Sequence, residues 1–177
     1  MNDENDFGQL GGDGPLQRSR SGPEPRVAAR AALVVGWDRH PDSMAAMAFA
    51  VRLAGDLDAH IHLVHIVDLD DAPIDLDSPE WDEDYRNTVT DEVIAARALL
   101  DGVPASWTYH GGHGSPADLL AVVADRYSAL MVVIGSPRPG MLGYLDSVLG
   151  QSVAHRLIGR RGVPLLLVPA DSSAGGR

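Results

Sequence analysis

The chain has 177 residues, 45% of them hydrophobic, no cysteine, and 25 acidic residues against 14 basic ones, a formal net charge of −11. The length suits one domain with a single core, the missing cysteine excludes disulfides, thiolate zinc sites and cysteine nucleophiles, and every basic residue is arginine, which removes a P-loop or Schiff-base lysine. The negative charge repels phosphate backbones, so neither nucleic acid nor an anionic membrane is an expected partner; with no apolar run near about 20 residues and no signal-peptide core in MNDENDFGQLGGDGP, a soluble cytoplasmic protein is expected.

Residues 1–30 are rich in Gly, Pro, Ser and charge and have no periodic apolar pattern, so they read as a disordered tail. Within it, RSRSGP has two readings: a basic-directed phosphorylation site on Ser19 or Ser21, or a solvated low-complexity tail. Residues 31–170 form the expected domain, and 171–177 a second short tail.

ALVVGW (32–37) is a continuous apolar run that reads as the first strand, ending at Asp38. SMAAMAFAVRLAGDL follows at helical spacing, with Met44, Met47, Ala48 and Val51 on one face, Phe49, Leu53 and Leu57 on another, and Ser43 or Asp42 as N-cap. HIHLVHIV (60–67) is the second strand. After the acidic stretch DLDDAPIDLDSPEWDED, a second helix recurs through Tyr85, Val89, Val93, Ala96 and Leu100. ASWTYH (105–110) is the third strand, and the third helix opens at Ser115 with an S-x-x-D capping box and Pro116 at N1. ALMVVIG is the fourth strand; the last helix carries Leu149, Val153 and Leu157, with Arg156, Arg160 and Arg161 near its C-terminus, and PLLLV (164–168) is the fifth strand.

Strand and helix alternate throughout, which predicts an α/β, doubly wound, mainly parallel sheet with helices on both faces. Such sheets hold ligands beyond the carboxyl ends of their strands, where strand order reverses. A buried strand, a loop rich in Gly and Pro, and a helix N-terminus run from Ala129 to Leu157, an arrangement that presents backbone N–H groups and a positive dipole end to an anion.

Four features, in order, carry a resemblance: LVVGWD followed by Ser43; HLVHIVD; GSPADLL; and VIGS with its glycine loop, GQSVAHRL and GVPLLLVP. The chain resembles the universal stress protein family over roughly residues 31–170. The resemblance implies a five-stranded parallel sheet of order 3-2-1-4-5 and a homodimer joined near the last strand. One branch of that family binds ATP and another does not. The binding branch carries G-x2-G-x9-G-[S/T]; here Gly140 and Gly150 keep the nine-residue spacing, four residues instead of two separate Gly135 from Gly140, and Gln151 replaces the hydroxyl residue with Ser152 beside it. A second alignment sets Arg138 at the middle glycine.

The resemblance implies that Asp38, with Gly36 and Trp37 beside it, holds the nucleoside, that Ile66 packs the base, and that Ile134, Gly135, Arg138, Gly140, Gly150, Gln151 and Ser152 frame the phosphates of ATP, with Mg2+ as a possible companion. Each residue has a plainer reading: Asp38 as a turn residue, Ile66 as core, the glycines as positions of positive φ, Arg138 as an exposed loop arginine. Trp37 either stacks on a base or blocks its approach. His60 and His62 fall on one face of their strand and His65 on the other, so they cannot converge on one ion; His110 and His113 flank two glycines as a weak pair, and structural roles are expected for all five. No catalytic arrangement is identifiable, so a dimeric nucleotide-binding regulator is expected in preference to an enzyme. The alternatives are a nonbinding interaction module and, behind it, an adenylyl-transferring enzyme.

Overall fold

The computed structural model describes residues 16–21, 29–67, 94–113, 115–136, 153–160 and 162–170. Its strands are β1 (Leu16–Ser21), β2 (Ala31–Trp37), β3 (Ala59–Val67), β4 (Trp107–His113), β5 (Met131–Gly135) and β6 (Leu165–Val168), and its helices are α1 (Pro41–Leu57), α2 (94–100), α3 (Pro116–Arg126) and α4 (Val153–Gly159). One sheet orders them β1-β4-β3-β2-β5-β6. From β4 to β6 all pairings are parallel, so the five strands read from the sequence stand in the order 3-2-1-4-5.

β1 departs from expectation. Six residues of the segment read as a disordered tail pair antiparallel with β4, from Leu16 opposite Gly112 to Ser21 opposite Thr108. The composition of LQRSRS hides this because the segment has a single apolar residue and pairs through its main chain, which any non-proline residue can do. β4 also runs on through Gly111, Gly112 and His113, beyond the 105–110 read from the sequence, because β3 continues beside it to His113 and β1 to Gly112.

The apolar runs are buried on both faces of the sheet. Leu33, Val35 and Trp37 of β2 pack with Ala46, Met47, Ala50 and Ala54 of α1 and Ala96 and Leu100 of α2, whereas Val34 joins Leu119, Leu120 and Val123 of α3 and Ala154 and Leu157 of α4. Small residues on α1 let it lie close to the strands. The stripe differs from the predicted one, since Ala48 is exposed and Ala46, Ala50 and Ala54 carry the contact. The α1 N-cap is His40, which makes no side-chain cap, and not Ser43 or Asp42; Pro41 takes the first turn because its missing N–H has no partner to lose there. Ser115 caps α3 as expected, accepting from the Asp118 N–H at 3.4 Å. The Asp118 carboxylate pairs with Arg156 at 3.6 Å and with Arg160, tying α4 to the start of α3. Among the described residues, no helix is long and apolar enough to cross a membrane.

Candidate functional site at the strand switch point

β2 and β5 are the central neighbours from which the sheet is wound in opposite directions. Their ladder ends at Val35 opposite Val133. On either side the ladders continue, β2 with β3 to Trp37 opposite His65 and β5 with β6 to Gly135 opposite Val168. The last two residues of β2 and β5 therefore lie beyond their shared ladder, and the opening in the ladder is flanked by Gly36, Trp37 and Asp38 on one strand and by Ile134 and Gly135 on the other.

The pleat assigns these residues to opposite faces. Gly36 lies toward α3, where a Cβ would stand 2.9 Å from Ile134 Cγ2 and 3.5 Å from Leu120 Cδ1; the space a side chain needs is already filled by core. Ile134 is 8% exposed and belongs to that core. Trp37 points toward α1 and is buried, its indole N–H donating to Met44 Sδ at 3.3 Å and its ring 5.4 Å from that of His65. The Arg39 guanidinium lies 5.8 Å from the indole centroid. The ring is thus a packed wall of the opening and does not stand clear as a stacking platform.

Asp38 is the first residue beyond β2, and a local network sets its position. Its N–H donates to Ser43 Oγ at 3.2 Å, Ser43 in turn donates to the His40 carbonyl at 3.0 Å, and the His40 N–H donates to Asp38 Oδ1 at 2.9 Å. Arg39, between them, has φ 66°, which closes the turn. Asp38 is accordingly both the turn residue and an exposed carboxylate at the mouth, its side chain 62% exposed. The positive dipole end of α1 lies beside it.

Gly135 has a reason the sequence does not show. A Cβ there would stand 2.5 Å from the Asp42 carbonyl carbon and 2.7 Å from its oxygen, so only glycine lets the end of β5 meet the first turn of α1. Its backbone is not in the positive-φ region. Ile66 sits on β3 in register with Gly112, and its side chain lies outside the described residues, as do Arg138, Gly140, Gly150, Gln151 and Ser152. The structure thus brings together Gly36, Trp37, Asp38, Ile134 and Gly135. A separate cavity of about 210 Å³, lined by Ala124, Val132, Leu157, Arg160, Val163 and Leu165 among others, lies between α3, α4 and β6 and touches none of these residues.

The histidines are joined by hydrogen bonds across β3 and β4. His60 bonds Ser106 and Thr108; His62 Nδ1 lies 2.9 Å from His110 Nε2, with the His62 ring stacked on Tyr127; His65 on the opposite face bonds the Tyr109 hydroxyl at 3.1 Å. His110 thus pairs with His62 across the two strands, and the side chain of His113 lies outside the described residues. Burial, reinforced by His60 and His110, pushes His62 down to about 3. Burial with the nearby Arg39 guanidinium, partly offset by Asp38, holds His65 at about 4, and burial with His60 and Arg126 does the same for His110. His65 is thus a neutral group behind the opening. Period two identified the faces, but cross-strand partners 44 to 48 residues away carry no local sequence signal.

The family model described as the universal stress protein family matches residues 31–169. The chain belongs to the universal stress protein family. Solved structures agree on the fold. A universal stress protein from Burkholderia pseudomallei is 24% identical over 78% of this chain and 96% of its own, with a TM-score of 0.51. A universal stress protein in complex with cAMP is 22% identical, covering 81% and 99%, TM-score 0.56, and one from Archaeoglobus fulgidus in complex with dAMP is 19% identical, covering 78% and 97%, TM-score 0.53. No protein of curated function matches by sequence. The match begins at residue 31, so β1 lies outside it.

Proposed function

We propose that this universal stress protein binds an adenine nucleotide, ATP in the first place, at the opening between β2 and β5, and acts in the cytoplasm as a dimeric regulator or sensor. The observation that carries the reading is the parting of the two strands beyond Val35 and Val133, with the exposed Asp38 carboxylate and the N-terminal end of α1 at its mouth. A carboxylate there accepts from ribose hydroxyls, and the dipole end favours phosphate. The family's solved members in complex with cAMP and dAMP support the ligand class. Gly140, Gly150, Gln151 and Ser152 complete the phosphate end in this reading, with Mg2+ as companion ion. The same chain would dimerise through β6, which pairs only with β5 among the described residues, is bounded by Pro164 and Pro169, and has Leu167 40% exposed.

A second reading, an interaction module without nucleotide, is favoured by two observations: Trp37 is packed as a wall, and both Gly36 and Gly135 are accounted for by packing alone. Asp38→Ala separates the two. The nucleotide reading expects Asp38→Ala to weaken ATP by roughly 1–3 kcal/mol, the range for losing a hydrogen bond to a charged group, while the melting temperature stays within a few degrees. Calorimetry on both proteins reads the difference. Equal affinity removes Asp38 from the site, and mass spectrometry of ligand released from gently purified protein identifies the nucleotide that is bound.

A further inference from the structure

We propose that β1 is a detachable edge strand, and that phosphorylation of Ser19 or Ser21 by a basic-directed protein kinase releases it from β4. Two independent observations meet in this segment. By register, Ser19 lies opposite His110 and Ser21 opposite Thr108, so the two serines belong to the strand that closes the sheet edge. By sequence, the same serines alternate with Arg18 and Arg20 in RSRS, the pattern a basic-directed kinase reads.

The hold of β1 on β4 is weak by composition. Leu16 is its one apolar residue, and the register shifts between Leu16 and Arg18, which interrupts the ladder at its start. Opposite net charge adds a long-range attraction to the main-chain pairing. The six residues carry two arginines and no carboxylate, a formal +2, which leaves −13 on the rest of a chain whose total is −11. One phosphate adds about −1.5 to −2 and cancels the strand's positive charge; two reverse it.

A strand held in a ladder cannot extend along a kinase's substrate groove, so the kinase acts on the detached fraction and traps it. In the transfer, the serine Oγ bonds to the γ-phosphorus of ATP as the bond from that phosphorus to the β-phosphate oxygen breaks. The hydroxyl proton passes to the kinase's base, and ADP leaves. Release uncovers the outward N–H and C=O groups of β4, a row that can template another strand.

The test uses the full chain treated with ATP and the catalytic domain of a basic-directed Ser/Thr kinase, with site mapping by mass spectrometry and amide hydrogen exchange resolved to residues 107–113. The expected result is phosphate on Ser19 or Ser21, at least tenfold faster exchange at the alternate β4 amides that face β1, and unchanged exchange at those that face β3. A protein with Ser19→Ala and Ser21→Ala together keeps its protection under the same treatment. Three results overturn the proposal: no phosphate at either serine, phosphate with unchanged β4 exchange, or faster exchange across the whole sheet, which reads general destabilisation in place of strand release.

Discussion

Gly135→Ala is expected to lower the unfolding free energy by about 3 kcal/mol, the upper end of the usual cost of overpacking. The added Cβ would meet the Asp42 carbonyl carbon at 2.5 Å, its oxygen at 2.7 Å and its Cβ at 2.8 Å. These atoms belong to, or are fixed by, the backbone of the first turn of α1, so no rotamer change relieves the overlap. Either the end of β5 or the whole first turn must move. The same turn holds Ser43, which fixes the Asp38 N–H, so nucleotide affinity should fall with stability. Gly55→Ala is the control: this glycine lies within α1 with nothing within 4 Å of the new Cβ, and alanine there should gain roughly 0.5–1 kcal/mol through helix propensity and the unfolded state. Urea midpoints of the three proteins check both signs. A Gly135→Ala midpoint equal to wild type would mean that α1 does not start against β5.

The buried imidazoles should make the protein acid-labile well above the carboxylate range. His62 is lowered to about 3, and His65 and His110 to about 4, from an ordinary 6.5. For a base whose folded pKa is depressed, the unfolded chain takes up the proton first. Stability from these groups is therefore fully present above about pH 6.5 and lost as pH falls from there toward 4. At pH 5.5 the loss is roughly 1.4 kcal/mol per imidazole, so about 4 kcal/mol for the three, a large share of a domain's usual 5–15 kcal/mol. Ordinary carboxylates titrate near 4 and contribute little in that window. Urea unfolding at pH 7.5, 6.5 and 5.5 measures the slope, and a flat profile would show that these histidines are solvated in the native state.

Strand order was legible because each core strand is a run of apolar residues with a helical pattern after it, and the family's motifs fixed the sequence of neighbours. β1 was not legible. Pairing at an exposed edge is a main-chain event, and LQRSRS has no side-chain pattern that distinguishes it from a solvated tail. Asp38 was placed correctly just beyond the first strand, since the end of an apolar run is a local signal. The reasons for Gly36 and Gly135 were not local: one makes room for Ile134 and Leu120, the other for the backbone of Asp42, and both contacts cross from one element to another. The cap of α1 was read one turn late because Ser43 has the chemistry of an N-cap, yet spends its hydroxyl on the Asp38–His40 turn that precedes the helix. The histidine pairs belong to the same class of miss, since period two assigns a face but not a partner on the next strand.

The central claim, that the switch-point opening holds a nucleotide, is tested most directly by titrating ATP with Mg2+ into the full chain and into Gly150→Val and Gln151→Ser, with circular dichroism as the fold control. Gly150 lies three residues before Val153 of α4 in the sequence, and the family resemblance implies a place for it at the phosphates, where a side chain would obstruct them. Saturable binding is expected for the wild type, none for Gly150→Val despite an unchanged spectrum, and equal or tighter binding for Gln151→Ser, which restores the hydroxyl of the family's binding branch. A wild type that binds nothing, with binding recovered in Gln151→Ser, would contradict the central claim and leave the interaction module as the function; equal binding by all three would place the phosphates elsewhere.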